Sequence, residues 1–505
     1  MSTGEVREYG PDAKPAICGL QTAGDQSDDL LPWRPICHRP CEFGLVHFDY
    51  AMVNAVKNPN LLSSWLFRAE ILSEIEHDQA EVCPVQGEST LPRCPALQGF
   101  RLERAYLRQI IPRNTRRDSP MIQSCTFYVD SAQDPDAGIR RSLVLYLPHL
   151  DSTEEFPYYH PRVRGVGLLH EWNDEQGKGT FSIHYQLFPE GSMTPRLQST
   201  ALNMLSILHK LGQGQLNGYV KRVHHDRLVP KSALQDRYSG LRDRYAKELV
   251  GGWAESTDPM KHVFEDLCIA AFLIELWAEM YKTLEFPGFV DIGAGNGLLV
   301  HILNLEGYRG WGFDARARKS WHVYNGLQAD GQPTLQELVL IPSLVGQEVS
   351  PGKNDVEVSP QTVGVHNGVF PKGTFIISNH ADELTPWTPL IATASGCPFL
   401  AIPCCSHNLT GARFRAPRPT DKSKSHSAYS SLVAWVSDIA TDCGWEVESE
   451  MLRIPSTRNT AIVGRHRTVD ITEVAIDQVI ARYGGSGDYC ENAMKLVKSI
   501  SPRRH

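Results

Sequence analysis

The sequence predicts an α/β protein in which a mostly parallel, doubly wound sheet follows an α+β domain with an antiparallel sheet. From residue 288 onward, short apolar segments alternate with helical segments, which is typical of a parallel sheet. Earlier in the chain, the apolar residues of Phe181–Leu187 alternate with Ser182, His184 and Gln186. This period of two indicates a half-buried strand with one wet face.

Length and composition set the domain organisation. A chain of 505 residues corresponds to about two to three domains. We expect a loose segment rich in Gly, Pro and Asp at 1–40, the α+β domain at 41–215 and the parallel-sheet domain at 216–505. The net charge of −8 argues against a general nucleic-acid coat, so binding of a polyanion would need a local basic patch.

The composition also predicts the compartment. The chain has no run of about 18 apolar residues, and Met1 to Glu8 has no apolar leader pattern, so we expect neither a membrane span nor secretion. The 12 scattered cysteines are typical of free thiols in a cytosolic protein.

Periodicity and turn residues predict the individual elements. In the first domain we expect a helix at Trp65–Glu76, strands at Cys125–Val129, Ser142–Leu147 and Val163–Glu171, a helix near Leu197–Leu211 and a connection at Gly212–Gly218. In the second we expect helices at Lys231–Leu249 and His262–Lys282, strands at Gly288–Ile292, Gly310–Asp314, Val339–Leu344, Thr374–Ser378 and Pro398–Pro403, and an antiparallel pair at Trp445–Ile454 and Thr460–Gly464.

A Gly-rich turn follows the first of these parallel strands. Gly293, Gly295 and Gly297 permit a tight turn and a close approach of the backbone to a ligand. Asp314 lies 17 residues beyond Gly297, at the end of the next strand, where an acid can accept hydrogen bonds from both hydroxyls of a ribose. The turn therefore predicts an adenosine cofactor, and a turn with only a structural role is the alternative.

The charge at this turn favours one cofactor. Asp291 stands at the strand end, where a carboxylate would repel the pyrophosphate of a dinucleotide. S-adenosylmethionine carries a sulfonium and an α-ammonium and no phosphate, so it suits the acid. The cofactor-binding residues expected are Asp291, Gly293, Gly295, Asn296, Gly297, Asp314 and Asn379.

Several long strings stand out in the second half of the chain. They are Val290–Val300, Gly312–Trp321, Asn379–Trp387, Ile402–Cys405 and Leu452–Asn459, with Lys221–Asp226 and Val263–Leu267 upstream. These strings resemble a known family, the tRNA-Ser uridine-44 2′-O-methyltransferases. The resemblance covers about residues 219–465. It implies a cytoplasmic enzyme that transfers a methyl group from S-adenosylmethionine to the ribose 2′-hydroxyl of uridine 44 in serine tRNA. It also implies a Rossmann-like class I methyltransferase sheet of seven strands.

Polar residues at the end of the fourth parallel strand are the expected catalytic group. His380, Asp382 and Glu383 lie at the sheet edge where ligands of open α/β sheets bind. His380 or Asp382 could accept the hydroxyl proton, and Asn379 could orient the nucleophile or the cofactor. The alternative is that Asp382 and Glu383 stabilise the start of a helix near Leu384.

Two cysteine-containing segments raise the question of a metal site. Cys404, Cys405 and His407 could form a nucleophilic or metal site, but a hydroxyl substrate needs no enzyme nucleophile, and two small residues lining the pocket edge are the favoured interpretation. The segment Cys37–Cys41 has two cysteines and a histidine but no second pair at finger spacing. We therefore expect no metal.

Basic residues near the same sheet edge are the expected tRNA contacts. Arg413, Arg415 and Arg418 belong to the basic stretch Gly411–Lys424, which carries a net charge of +4. A solvated loop is the alternative. The full set of substrate-binding residues expected is Lys221, Arg222, Arg413, Arg415, Arg418, Arg453 and Arg458.

Two other functions compete with tRNA methylation. The fold would also serve a methyltransferase acting on another RNA, a protein or a small molecule. The net charge of −8 mildly favours a protein or a small molecule, whereas the basic stretch and the family strings oppose this alternative. A non-catalytic binding module is the third interpretation, and the intact Asp291, glycines and Asp314 argue against it. In the first domain, the polar strand face of Ser182, His184 and Gln186 is the expected tRNA contact.

Overall fold

The computed structural model describes residues 5–10, 13–14, 16–17, 32–76, 91–115, 117–131, 138–219, 225–345, 364–419 and 427–498. It divides into two compact units, Met1–Lys221 and Arg222–His505. Among the described helices, none has the length and apolar character needed to cross a lipid bilayer.

The first unit is an antiparallel sheet with two long helices against one face. Its described strands are β1 Arg7–Glu8, β2 Trp33–Cys41, β3 Leu66–Glu76, β4 Phe100–Pro112, β5 Met121–Asp130, β6 Ile139–Pro148, β7 Gly165–Asn173 and β8 Lys178–Gln186, in the sheet order β1-β2-β8-β7-β6-β5-β4-β3. The helices are α1 Leu45–Lys57 and α2 Pro195–Leu216. Their apolar sides bury a core that includes Phe48, Phe181 and Leu205. This arrangement confirms the predicted α+β character.

Two predicted elements of this unit are wrong. Trp65–Glu76 is not a helix, because Leu66–Glu76 pairs along its length with β4 as an edge strand. Strand pairing here overrides the local helix pattern. Gly212–Gly218 is not a connection, because α2 continues through Gly212 to Leu216. A Cβ on Gly212 would lie 2.8 Å from the ring of Phe43, so this glycine serves helix packing and not a turn.

The predicted loose segment is wrong over Trp33–Pro40, and the predicted wet face of the strand Phe181–Leu187 is wrong as well. Trp33–Cys41 pairs with β8 inside the sheet, although the composition of 1–40 suggests a loose segment. Ile17 and Trp33 are buried against the sheet face opposite the helices. The same face carries Ser182, His184 and Gln186, which are buried and not wet. Burial lowers the pKa of His184 to about 4.

The second unit is a mostly parallel sheet. Its described strands are β9 Phe289–Ile292, β10 Gly310–Asp314, β11 Leu335–Leu340, β12 Gly364–His366, β13 Phe375–Asn379, β14 Phe399–Ile402, β15 Trp445–Met451 and β16 Thr460–Arg467. The sheet order is β12-β11-β10-β9-β13-β14-β16-β15, with β16 and β15 antiparallel to their neighbours. The third strand lies at Leu335–Leu340 and not at the predicted Val339–Leu344. The predicted seven strands become eight because β12 pairs with β11 at the edge.

Helices cover both faces of this sheet. They are α3 Lys231–Gly251, α4 Pro259–Met280, α5 Leu298–Leu305, α6 Trp321–Tyr324, α7 Thr388–Ser395, α8 Ala428–Asp442, α9 Ile476–Arg482 and α10 Tyr489–Lys498. One apolar core contains residues of α3, α4 and α5, and a second contains residues of α7, α8 and α9. The predicted α/β architecture is thus confirmed. Residues 346–363, between β11 and β12, lie outside the described residues.

Candidate active site

The site lies where the strand order reverses. From β9 the chain moves outward to β10, β11 and β12, then returns to place β13 on the other side of β9. Open α/β sheets bind ligands in the crevice outside the carboxyl ends of the strands at such a point. The Gly-rich turn follows β9, and Asn379–Asp382 includes the end of β13. A Cβ on Gly293 would lie 2.9 Å from the Cβ of Ala381, so the two segments are in contact.

The conformation of the turn explains its three glycines. Gly293, Gly295 and Gly297 have φ angles of +76°, +52° and +76°, which side chains with a Cβ rarely adopt. A Cβ on Gly297 would lie 2.4 Å from Cδ1 of Leu335, whereas a Cβ on Gly295 would meet no atom within 4 Å. Gly297 is therefore required for packing, and Gly295 faces space that a ligand can fill.

Residues after β10 hold the turn in place. The Ser320 hydroxyl donates to the carbonyl oxygen of Asn296 at 2.7 Å, and the Trp321 indole N–H donates to that of Gly295 at 2.9 Å. Oδ1 of Asn296 accepts from the backbone N–H of Leu298 at 2.8 Å, at the start of α5. The Asn296 side chain therefore supports the turn, whereas its role as a cofactor ligand stays a prediction.

The carboxylates of Asp266, Asp291 and Asp314 lie close together beside the Gly-rich turn. Asp291 is only 2 % exposed, and Oδ1 has no hydrogen-bond partner among the described residues. Burial, with the charges of Asp266 and Asp314, raises the pKa of Asp291 well above its usual value. Burial and then the charge of Glu265 raise the pKa of Asp266 to about 8. A bound cation would stabilise the ionised forms of these acids.

Asp314 connects the Gly-rich turn to the segment after β10. Its Oδ2 accepts from the backbone N–H of Gly295 at 3.1 Å, and Oδ1 accepts from that of Arg316 at 3.2 Å. Burial raises the pKa of Asp314, although Arg318 and these hydrogen bonds partly oppose the shift. Each carboxylate oxygen has two acceptor sites, so Asp314 can also accept from ligand hydroxyls.

The polar group at the end of β13 extends to α4. Nδ2 of Asn379 donates to Oδ1 of Asp266 at 3.5 Å, and Nε2 of His380 lies 3.3 Å from Oε1 of Glu265. Oδ1 of Asn379 and Nδ1 of His380 are buried and have no partner among the described residues. His380 has a φ of +53°, a strained value for a non-glycine residue. Unsatisfied polar atoms and strain at one place are typical of a ligand site.

Sequence reasoning missed Glu265 and Asp266. A signal for them was present in the sequence, because two adjacent acids interrupt the otherwise apolar stretch Val263–Ile274, and both are buried. Buried charged residues are rare unless they are paired or functional.

Asp382 and Glu383 have different surroundings from His380. Oδ1 of Asp382 accepts from the Cys404 thiol at 3.1 Å, and Asp382 has a φ of +45°. Glu383 is near enough to the hydroxyl of Tyr489 to contribute to the raised pKa of that group. Both acids lie in the first turn of a 3-10 helix, Asp382–Trp387, so a helix-start role remains the alternative to a catalytic one.

One side-chain cluster has the donor types of a metal site. The ligand atoms of Asp382, Cys404 and Cys405 all lie within 4.8 Å of one another, the one such group in the described part of the chain. Burial, and then the Asp382 charge, raises the pKa of the Cys404 thiol, which keeps its proton for the hydrogen bond to Asp382. A structural zinc site takes four ligands, so the cluster has one fewer than such a site needs.

Comparison with known proteins identifies the family. A family model described as a TRM44-like, N-terminal bet v1-like domain matches residues 9–222, and one described as a predicted AdoMet-dependent methyltransferase matches residues 228–342. A protein of Neurospora crassa named tRNA (uracil-O(2)-)-methyltransferase is 53% identical over 95% of this chain and 95% of its own. The chain belongs to this family.

Other family members are similar over nearly the whole chain. The proteins of the same name from Saccharomyces cerevisiae and Schizosaccharomyces pombe are 37% and 35% identical, over 92% and 93% of this chain and the same shares of their own. The predicted family and the predicted cofactor are confirmed: this member of the tRNA (uracil-O(2)-)-methyltransferase family is an S-adenosylmethionine-dependent methyltransferase.

The predicted substrate-binding arginines of this family member fall into two groups. Arg413, Arg415 and Arg418 are exposed, and Arg413 is near enough to the Cys405 thiol to affect its pKa. Arg458 stacks on the ring of Tyr429, 4.7 Å from the centroid, whereas Arg453 forms a two-bond ion pair with Asp226 at 2.5 and 3.1 Å. Lys221 and Arg222 lie outside the described residues.

Proposed function

We propose that this enzyme transfers a methyl group from S-adenosylmethionine to the ribose 2′-hydroxyl of uridine 44 in serine tRNA, in the cytoplasm. Relatives that carry the name tRNA (uracil-O(2)-)-methyltransferase match both units of the chain. The strand order of the second unit supports a Rossmann-like class I methyltransferase fold, with an added edge strand. The strings at the strand ends resemble those of the tRNA-Ser uridine-44 2′-O-methyltransferases, and this resemblance supports uridine 44 as the nucleotide and serine tRNA as the substrate.

The group of buried carboxylates around Asp291 is the observation that carries this proposal. The charges of Asp266 and Asp314 raise the free-energy cost of ionising Asp291. Two arginines lower a pKa in this group, Arg318 and Arg316, and the carboxyl group on which they act is that of Asp314. A cationic ligand at this place removes that cost, whereas a phosphate would add to it. The chemistry of the donor set therefore fits the sulfonium and the α-ammonium of S-adenosylmethionine.

The residues at the crevice have separate binding roles in this proposal. Asp291 neutralises the cationic methionine end, and Asp314 accepts from the ribose hydroxyls of the adenosine. Gly295 leaves space beside the turn, and the unpartnered Oδ1 of Asn379 can accept from the α-ammonium. The cofactor supplies a methyl group on a sulfonium, which is already a good leaving group. Much of the catalysis is then alignment of the acceptor oxygen, and the backbone contacts of the turn fix that geometry.

The pair formed by His380 and Glu265 is the best-supported proton acceptor. Nε2 of His380 and Oε1 of Glu265, 3.3 Å apart, put an imidazole and a carboxylate at one place beside the Gly-rich turn. The hydroxyl proton passes to His380, and Glu265 positions the imidazole and stabilises its charged form. Asp382 and Glu383 stay in the proposed catalytic group, but Asp382 already accepts from Cys404.

The test combines nucleotide mapping with cofactor binding. The full chain is incubated with total tRNA and labelled S-adenosylmethionine, and the modified nucleotide is mapped. We expect label on one uridine ribose of serine tRNA. In parallel, Asp291→Asn should weaken S-adenosylmethionine binding by about ten- to 150-fold in calorimetry, because a charge-assisted contact is lost. Glu285→Gln, an exposed carboxylate of the same unit, is the control. Label on a base, on protein or on another RNA would overturn the substrate assignment.

A further inference from the structure

Exposed arginines stack on exposed aromatic rings at one end of the antiparallel sheet of the first unit. The guanidinium carbon of Arg117 lies 4.9 Å from the ring centroid of Trp65, and that of Arg196 lies 3.9 Å from the ring centroid of Tyr158. The two rings meet edge to face with centroids 5.3 Å apart. Trp65 is 41 % exposed and Tyr158 is 51 % exposed. With Arg113, these residues form what we call the aromatic–arginine surface.

Hydrogen bonds fix the segments that carry this surface. The backbone N–H of Arg113 donates to the carbonyl oxygen of Trp65 at 2.9 Å, which joins the end of β4 to the start of β3. Nη2 of Arg196 donates to the carbonyl oxygen of Tyr158 at 2.6 Å, which joins the first turn of α2 to the loop between β6 and β7. The Tyr159 hydroxyl, next in that loop, donates to the carbonyl oxygen of Ser119 at 2.8 Å. The rings are thus preorganised, which lowers the entropy cost of binding.

The positive charge of the surface is not neutralised by the described residues. Arg113, Arg117 and Arg196 form no ion pair with any carboxylate of the described chain, and the neighbouring Asp118 is buried. Other arginines of the same unit are paired: Arg140 with Asp174 at 2.6 Å, and Arg141 with Asp130 at 2.7 Å. A local surplus of cations in a chain of net charge −8 indicates a polyanionic partner.

We propose that the aromatic–arginine surface binds unpaired nucleotides of the RNA substrate, with bases stacked on Trp65 and Tyr158 and phosphates held by the three arginines. Aromatic side chains bind single-stranded nucleic acid through the faces of unstacked bases, and arginines supply phosphate contacts. Trp, Tyr and Arg are also frequent in protein interfaces, but unneutralised arginines beside both rings favour the nucleic acid. The inference rests on the proposed function in that the RNA is taken to be tRNA.

The test measures RNA binding by the full chain carrying Trp65→Ala, Tyr158→Ala or the triple change of Arg113, Arg117 and Arg196 to Ala. The probes are total tRNA, a single-stranded oligonucleotide and a duplex of the same length. Each aromatic variant should bind tRNA and the single strand about five- to 150-fold more weakly, with little change for the duplex. For the triple variant, the slope of the logarithm of the binding constant against the logarithm of the salt concentration should be shallower by about 2, or roughly 0.7 per lost phosphate contact.

Matched controls come from the same unit. Tyr50→Ala removes an aromatic side chain that is 53 % exposed on α1, and Arg140→Ala removes an arginine that is paired with Asp174. Both should bind RNA like the wild type. If the folded Tyr158→Ala and triple-arginine variants bind RNA with wild-type affinity, the proposal is overturned. The surface would then be interpreted as a binding site for a protein partner.

The methylation assay separates this inference from the proposed function. In the variants of the surface, KM for tRNA should rise while kcat at saturating tRNA is kept, because the residues of the second unit are unchanged. A wild-type chain that binds tRNA through the surface but labels no tRNA ribose would overturn the proposed function and leave the surface intact.

Discussion

Replacement of Asp266 by asparagine tests the electrostatics of the site without a ligand. Asp266 is 8 % exposed on α4, and burial with the charge of Glu265 raises its pKa from 3.8 to about 8. The folded state therefore keeps a proton on Asp266 at pH values where the unfolded chain has lost it. Under linkage, the free energy of unfolding must fall as pH rises between the two pKa values.

The size of the effect follows from the shift. Between pH 5 and pH 8, a group with pKa values of 3.8 unfolded and about 8 folded lowers the free energy of unfolding by about 3 to 4 kcal/mol. The loss is complete above pH 8, where both states are ionised. The introduced asparagine cannot ionise, and its side-chain oxygen can still accept from Nδ2 of Asn379, as Oδ1 of Asp266 does. Asp266→Asn should therefore remove most of this pH dependence.

Urea titrations of the full chain at pH 5, 6, 7 and 8 measure the effect. The first unit contributes equally to the wild type and to the variant, so the difference between their unfolding curves isolates Asp266. We expect the variant to exceed the wild type in stability by an amount that grows by about 3 to 4 kcal/mol from pH 5 to pH 8. Glu285→Gln should follow the wild type at every pH. If Asp266→Asn and the wild type decline in parallel, Asp266 is ionised in the folded protein, and the buried carboxylates do not require a cationic ligand.

Two further variants test the turn and the proton acceptor. Gly297→Ala should lower the free energy of unfolding by about 2 kcal/mol or more, because the residue has a φ of +76° and the new Cβ would overlap Leu335. A melting temperature equal to that of the wild type would show that the turn relaxes freely. His380→Asn should lower kcat by about 10²- to 10⁴-fold while S-adenosylmethionine affinity is kept. His466→Asn, at an exposed position, is the control. An unchanged kcat would exclude His380 as the base.

Local patterns predicted the parallel half well because its signals are contiguous in sequence. The strand Gly310–Asp314 was predicted with the bounds that the structure has, and the Gly-rich turn adopts the positive φ angles that its glycines imply. The third strand was misplaced, because β11 begins at Leu335, which is buried beside the turn at Gly297, and no local pattern shows that distant contact.

Features that depend on distant residues were missed. Glu265 and His380 are 115 residues apart in sequence, so no local pattern could place their side chains together. Likewise, Ser182 and His184 follow the period of a half-exposed strand, but Ile17 and Trp33 are buried against that face of the sheet. Alternation identifies the two faces of a strand, and only the tertiary structure decides whether the polar face meets water.

The strand β2 sets a limit on how the first unit can be shortened. A chain cut at residue 41, as its composition invites, would lose β1 and β2 and leave β8 as the outer strand. The backbone groups of β8 that bond to β2 would then be unpaired, and an uncovered strand of this length readily pairs with other chains. The polar residues Ser182 and His184 would also come into contact with water. A fragment that begins there is therefore expected to aggregate.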